Sequence, residues 1–193
     1  MPKTPIVPKR SVYLFLIFFF LSHSVFSQDA PGGIGNATGS DGQPRIKLWL
    51  IADSLNSLSD GYDVTSWDDF SGNGNNLDGS DKPPVFEENT LNGHHCVAFQ
   101  DDLSRIIKED FSMPTEAVSI FYVLQAQEDP EQHLCPFSYE KGTDEYVLFE
   151  YPNDGDFNTF VKDGRYDFNF DYADGQWKIL SHQWRSSDGR LLV

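Results

Sequence analysis

Only two cysteines, Cys96 and Cys135, occur in 193 residues. That is too few for a disulfide scaffold or a four-cysteine zinc site. Cations are scarce as well: 14 Lys and Arg stand against 30 Asp and Glu, a net charge of −16. Nucleic-acid binding needs clustered Lys and Arg to neutralise phosphates, so that class is excluded. No stretch carries the apolar period of a useful amphipathic helix, and no apolar run reaches the ~20 residues of a membrane span. The chain also lacks a Gly-x-Ser-x-Gly elbow and a phosphate loop. His94 and His95 are neighbours that diverge in a strand, and His23, His133 and His182 show no ligand spacing. What the chain does have is 39% apolar and 15% aromatic residues, enough for the core of one domain of common size.

The N-terminus has the order of a secretory signal. Lys3, Lys9 and Arg10 precede the apolar run 12–21, and Val25-Phe26-Ser27 places small residues at −3 and −1 for cleavage after Ser27. Residues 1–27 are therefore expected to be removed, leaving a secreted, extracellular chain with no membrane insertion. Losing three basic residues and no acidic one makes the mature chain more acidic still. Such acidity serves either solubility or the hosting of divalent cations. An oxidising compartment permits a Cys96–Cys135 disulfide; two separate thiols are the alternative. Residues 28–44, rich in Gly with two Pro, read as a flexible linker. Asn36-Ala37-Thr38 is a glycosylation sequon in a eukaryotic host.

From Arg45 onward, short β-like runs alternate with turn clusters. Residues 46–51 open the domain, and residues 94–99 follow the turn pair Asn92-Gly93. Residues 117–124 form a near-continuous apolar run, expected as a central strand buried on both faces. Further runs cover 145–151, 157–161, 165–172 and 177–184, with turn signals at Asn153-Asp154-Gly155, Asp163-Gly164, Asp174-Gly175 and Asp188-Gly189. Tyr166, Phe168, Phe170 and Tyr172 alternate with Asp167, Asn169 and Asp171. In a strand this puts four rings on one face, either facing the core or stacking on sugar rings. Many short strands with such punctuation imply an all-β fold, an antiparallel sandwich spanning residues 45–193. Arg190-Leu191-Leu192-Val193, apolar and directly after a turn, reads as a strand cut short and the sandwich as incomplete at its C-terminus.

Two segments carry a family likeness. One runs from Leu48-Trp49-Leu50-Ile51-Ala52-Asp53 through Trp67-Asp68-Asp69-Phe70-Ser71-Gly72-Asn73-Gly74-Asn75 and Asn92-Gly93 to Val97-Ala98-Phe99. It resembles the concanavalin A-like lectin/glucanase superfamily in its laminin-G-like form. The other, Phe137-Ser138-Tyr139 with Tyr146-Val147-Leu148-Phe149 and Trp177 through Gly189, is similar to the pentraxin branch of that superfamily. The resemblance implies a jelly-roll sandwich that binds a glycan or an extracellular or cell-surface glycoprotein, as in cell adhesion. The stretch holding the main acidic calcium loop of pentraxins has no counterpart in this chain.

Glycoside hydrolases of that superfamily alternate Glu-x-Asp-x-Glu along a strand, which sets an acid and a carboxylate ~5–10 Å apart. No such triplet occurs. Asp167, Asn169 and Asp171 have the period with an amide at the centre, while Glu145 and Glu150 fall on opposite strand faces. A non-catalytic binding module is therefore expected. The alternatives are an accessory domain of a larger secreted enzyme or adhesin, and an adhesion unit with protein partners only. Asp69-Phe70-Ser71-Gly72-Asn73-Gly74 opens like a calcium loop, but its twelfth position is Ser80 rather than Glu. Two readings of it stand: a looser calcium site on Asp69, Asn73 and Asn75, or a turn whose side chains cap their own backbone. Gly72 and Gly74 are expected at positive φ.

Overall fold

The structure is a computed structural model describing residues 42, 45–100, 103–127, 135–139, 156–161, 164–171 and 173–192. Residues 1–27, the 28–44 linker apart from Gly42, the 145–151 run, the Asn153-Asp154-Gly155 turn and His133 lie outside the described residues. Among those described, the strands are β1 (Ser66–Trp67), β2 (Leu77–Gly79), β3 (Val85–Leu91), β4 (His94–Ala98), β5 (Ile106–Ile107), β6 (Ala117–Gln125), β7 (Asp156–Val161), β8 (Gly164–Asp171), β9 (Trp177–Arg185) and β10 (Arg190–Leu192). They pair as β1-β2-β5, β10-β9-β6, β3-β4 and β7-β8. Every pairing among the described residues is antiparallel, and the helical content among them is one 3-10 turn, Ala52–Leu55. The chain is all-β, as its punctuated short runs imply.

By its contacts the chain divides into two units. In the first, residues 46–50 carry no strand, although residues 46–51 are expected to form one. Their backbone groups bond instead to the loop Asp69–Gly74. The Trp49 N–H donates to Asp69 Oδ1 at 3.0 Å, and Phe70 N–H donates to the Trp49 carbonyl at 2.8 Å. Asn73 Nδ2 donates to the Ile46 carbonyl at 2.8 Å. A β-rich composition shows that a segment wants backbone partners, not which groups supply them.

Among the described residues, the second unit holds two apolar clusters. In one, Phe86 and Val64 are fully buried with Leu55, and Leu58, Trp67, Val97 and Ile106 pack around them. The β3–β4 hairpin that presents Phe86 turns at Asn92 and Gly93, whose φ of +52° and +85° are those of a type I′ turn. In β2, Gly79 runs so close to its neighbour that a Cβ would sit 2.9 Å from the Val64 carbonyl oxygen. Only glycine fits there.

The other cluster joins Ala126, Ala173 and Leu180 to Tyr122, Leu124 and Phe168. Here β6 pairs with β9 in the register Phe121↔Ser181 and Val123↔Ile179. The expectation that residues 117–124 are buried on both faces is corrected. Val118, Ile120, Tyr122 and Leu124 alternate inward, whereas Phe121, Val123 and Ile179 are 68%, 54% and 79% exposed. An apolar run alone does not say whether a second layer covers its outer face.

β8 departs from strict alternation too. Its pairing with β7 slips between Asp156↔Asp171 and Asn158↔Asp167, and Asn169 takes φ +44°. Phe168 packs on the cluster while Tyr166 is exposed, so these two rings do not share one core face; Tyr172 lies outside the described residues.

Candidate functional site

Within the second unit, a cleft of about 160 Å³ is lined by Ser54, Leu55, Ser57, Leu58, Thr65, Ser66 and Asp68. One wall is the 3-10 turn and the residues after it. Turns of this kind repeat every third residue, and Ser54-Leu55-Asn56-Ser57-Leu58 has that period. Leu55 and Leu58 therefore turn together onto the Phe86 cluster, and the serines share the neighbouring side. Ser54 is locked, its Oγ donating to the Ile51 carbonyl at 2.6 Å. Trp67 Nε1 donates to the same carbonyl at 3.1 Å, which ties β1 to the turn. The opposite wall, Thr65 and Ser66, is pinned by the Gly79 N–H on the Thr65 carbonyl at 2.8 Å and by the pairing Ser66↔Asp78. Four hydroxyls and one carboxylate thus stand over two leucines. Such a lining suits a ligand with its own hydroxyls and an apolar face.

Asp53, next to Ser54, fastens the turn to β4. Its Oδ1 accepts the His95 N–H at 2.8 Å and its Oδ2 meets His94 Nδ1 at 2.6 Å. The His95 amide first, and the His94 ring after it, hold the Asp53 carboxyl below the usual carboxylate range. The two histidines diverge as their adjacency requires: His94 faces solvent and the His95 ring packs on Phe86 at 5.0 Å. A depressed carboxyl contributes stability above its unfolded pKa and loses it as pH falls through the folded value. Asp53→Asn is expected to cost about 1 kcal/mol at pH 7 and to flatten the acid limb of a urea-midpoint curve below pH 4.

In the first unit, the Asp69 carboxylate accepts donors from the chain that include Trp49 N–H, Ser71 N–H at 2.8 Å and Ser71 Oγ–H at 2.7 Å. Asn73 donates through Nδ2 to Ser71 Oγ at 2.8 Å as well as to Ile46. Gly72 and Gly74 take φ of +86° and +70°, as expected. These are the bonds of a turn that caps its own backbone. Asn75 lies outside this loop unit, in the second unit. No group of three or more His, Cys, Asp or Glu able to hold a metal occurs among the described residues.

Cys96 and Cys135 stand as separate thiols in the structure. Burial pushes the Cys96 thiol up, and Cys135 Sγ lies 3.2 Å from the Phe137 carbonyl oxygen. Sequence reasoning passed over the cleft because its hydroxyls are ordinary surface residues. The period-three Ser-Leu repeat was the available signal. No protein-family model, curated protein or solved structure matches the chain, so the concanavalin A-like resemblance rests on the sequence motifs alone.

Proposed function

We propose that this protein is a secreted, non-catalytic module of antiparallel sandwich architecture that binds carbohydrate, alone or on a glycoprotein. The lining of the Ser54–Asp68 cleft supports this reading most directly. Its volume of about 160 Å³ is near half the ~300 Å³ at the small end of ordinary ligand sites, room for one sugar ring. Ring hydroxyls find Ser57, Thr65, Ser66 and Asp68, and a C–H face lies against Leu55 and Leu58. As an accessory domain of a larger enzyme or adhesin, the module would use the same cleft to hold its partner on a glycan. Calcium at Asp69, Asn73 and Asn75 is an optional part of this reading, since the chain's own hydrogen bonds already shape the Asp69–Gly74 loop.

The open face with Phe121, Val123 and Ile179 favours a second reading, an adhesion unit with protein partners only. A glycan array probed with the full chain, with and without EDTA, separates the two. Signal on simple terminal hexoses that survives EDTA is expected. Silence under both conditions removes the carbohydrate reading and leaves the protein-binding one.

A further inference from the structure

We infer that the cleft selects by charge, accepting hexopyranosides that are neutral or carry an ammonium and rejecting those that carry a carboxylate. This rests on the carbohydrate reading above and concerns the class of sugar. Asp68 is the charged group among the lining residues, and no Lys, Arg or His shares the cleft with it. Ser54 spends its only proton on the Ile51 carbonyl at 2.6 Å, so toward a ligand it offers lone pairs alone. Two of the five polar lining groups are thus fixed as acceptors, and the ligand must bring donors. Sugar hydroxyls and an ammonium supply them. A uronate carboxylate is acceptor-only and negative, and it enters a chain whose net charge is already −16.

The test titrates the full-length protein with three matched sugars, in both the gluco and galacto series: free hexose, 2-amino-2-deoxyhexose and hexuronate. Calorimetry or NMR shift changes give the affinities at about 50 mM and 500 mM salt. The expected order at low salt is amino sugar, then neutral hexose, then uronate, with the uronate about fivefold or more weaker than the hexose. High salt should compress the order, because exposed charges are screened beyond a Debye length of about 4 Å near 0.5 M. Asp68→Asn should compress it as well, by weakening the amino sugar and relieving the penalty on the uronate. Uronate binding as tight as hexose, or an order unchanged in Asp68→Asn and in high salt, overturns the selectivity while leaving carbohydrate binding in place. Failure of all three sugars in both series overturns the carbohydrate reading itself, and this inference with it.

Discussion

Lowering the pH from about 7.5 to 4.5 is expected to remove roughly 2–3 kcal/mol of folding stability through one side chain, His182. His182 sits on β9 with 2% of its surface exposed. Tyr122 Oη is 3.2 Å from its Nδ1, and Thr159 Oγ1 is 3.5 Å from its Nε2. Thr159 and the adjoining Asn158 are themselves fully buried. Burial disfavours the imidazolium, and it lowers the His182 pKa from 6.5 to about 4. Between those values the unfolded chain binds a proton that the folded chain refuses, so stability falls as pH falls. The loss begins near pH 6.5 and is complete below about pH 4. Carboxylates that are depressed in the fold, such as Asp53, titrate lower still, so the two effects separate on the pH axis. Urea unfolding at pH 7.5, 5.5 and 4.5 measures the slope. His182→Gln keeps a polar group but cannot titrate, and its stability should be nearly flat over the same range. A slope of equal size in that variant would assign the effect to another group.

His182 also shows where sequence reading stopped. The run 177–184 is legible as a strand from its composition, and β9 covers it. That His182 faces a layer containing Thr159 depends on a pairing between distant segments, which local pattern does not encode. The same limit separates the turns from the faces. Asn92-Gly93, Asp174-Gly175 and Asp188-Gly189 each occupy a turn with a glycine at positive φ, because the requirement is local and steric. The outer face of β6 and the slipped register of β8 answer to what lies across from them. β3 was hidden for a related reason. Glu87, Glu88 and Asn89 interrupt its apolar pattern, and Asn89 takes φ +52° within it. The cleft was least legible of all, since its walls are separated by the Gly61-Tyr62-Asp63-Val64 stretch that runs beside β3. Asp53 and His94, which brace it, stand 41 residues apart.

That bracing rests on Phe86, and removing its ring is the change expected to do most damage. Phe86 has no exposed surface, packs with Val64 and Leu55, and meets the His95 ring at a tilt with centroids 5.0 Å apart. Its backbone is clamped on both sides, its N–H donating to the Tyr62 carbonyl and its carbonyl accepting the Gly61 N–H, each at 2.8 Å. With the backbone held this way, the site can close only partly around an alanine. Phe86→Ala is therefore expected to cost about 3–5 kcal/mol in transfer and cavity terms together. Domains of this size hold only about 5–15 kcal/mol, so the variant should show a markedly lower urea midpoint. Phe121→Ala makes the same chemical change on the open face of β6, where Phe121 is 68% exposed, and should move stability by no more than about 0.5 kcal/mol. Function should follow the same division. Leu55 contributes to both the Phe86 cluster and the cleft, so at a temperature where Phe86→Ala is still folded, sugar binding should weaken severalfold, whereas Phe121→Ala should bind like the parent. Equal losses at the two positions would mean that the ring of Phe86 is not the support on which the cleft wall rests.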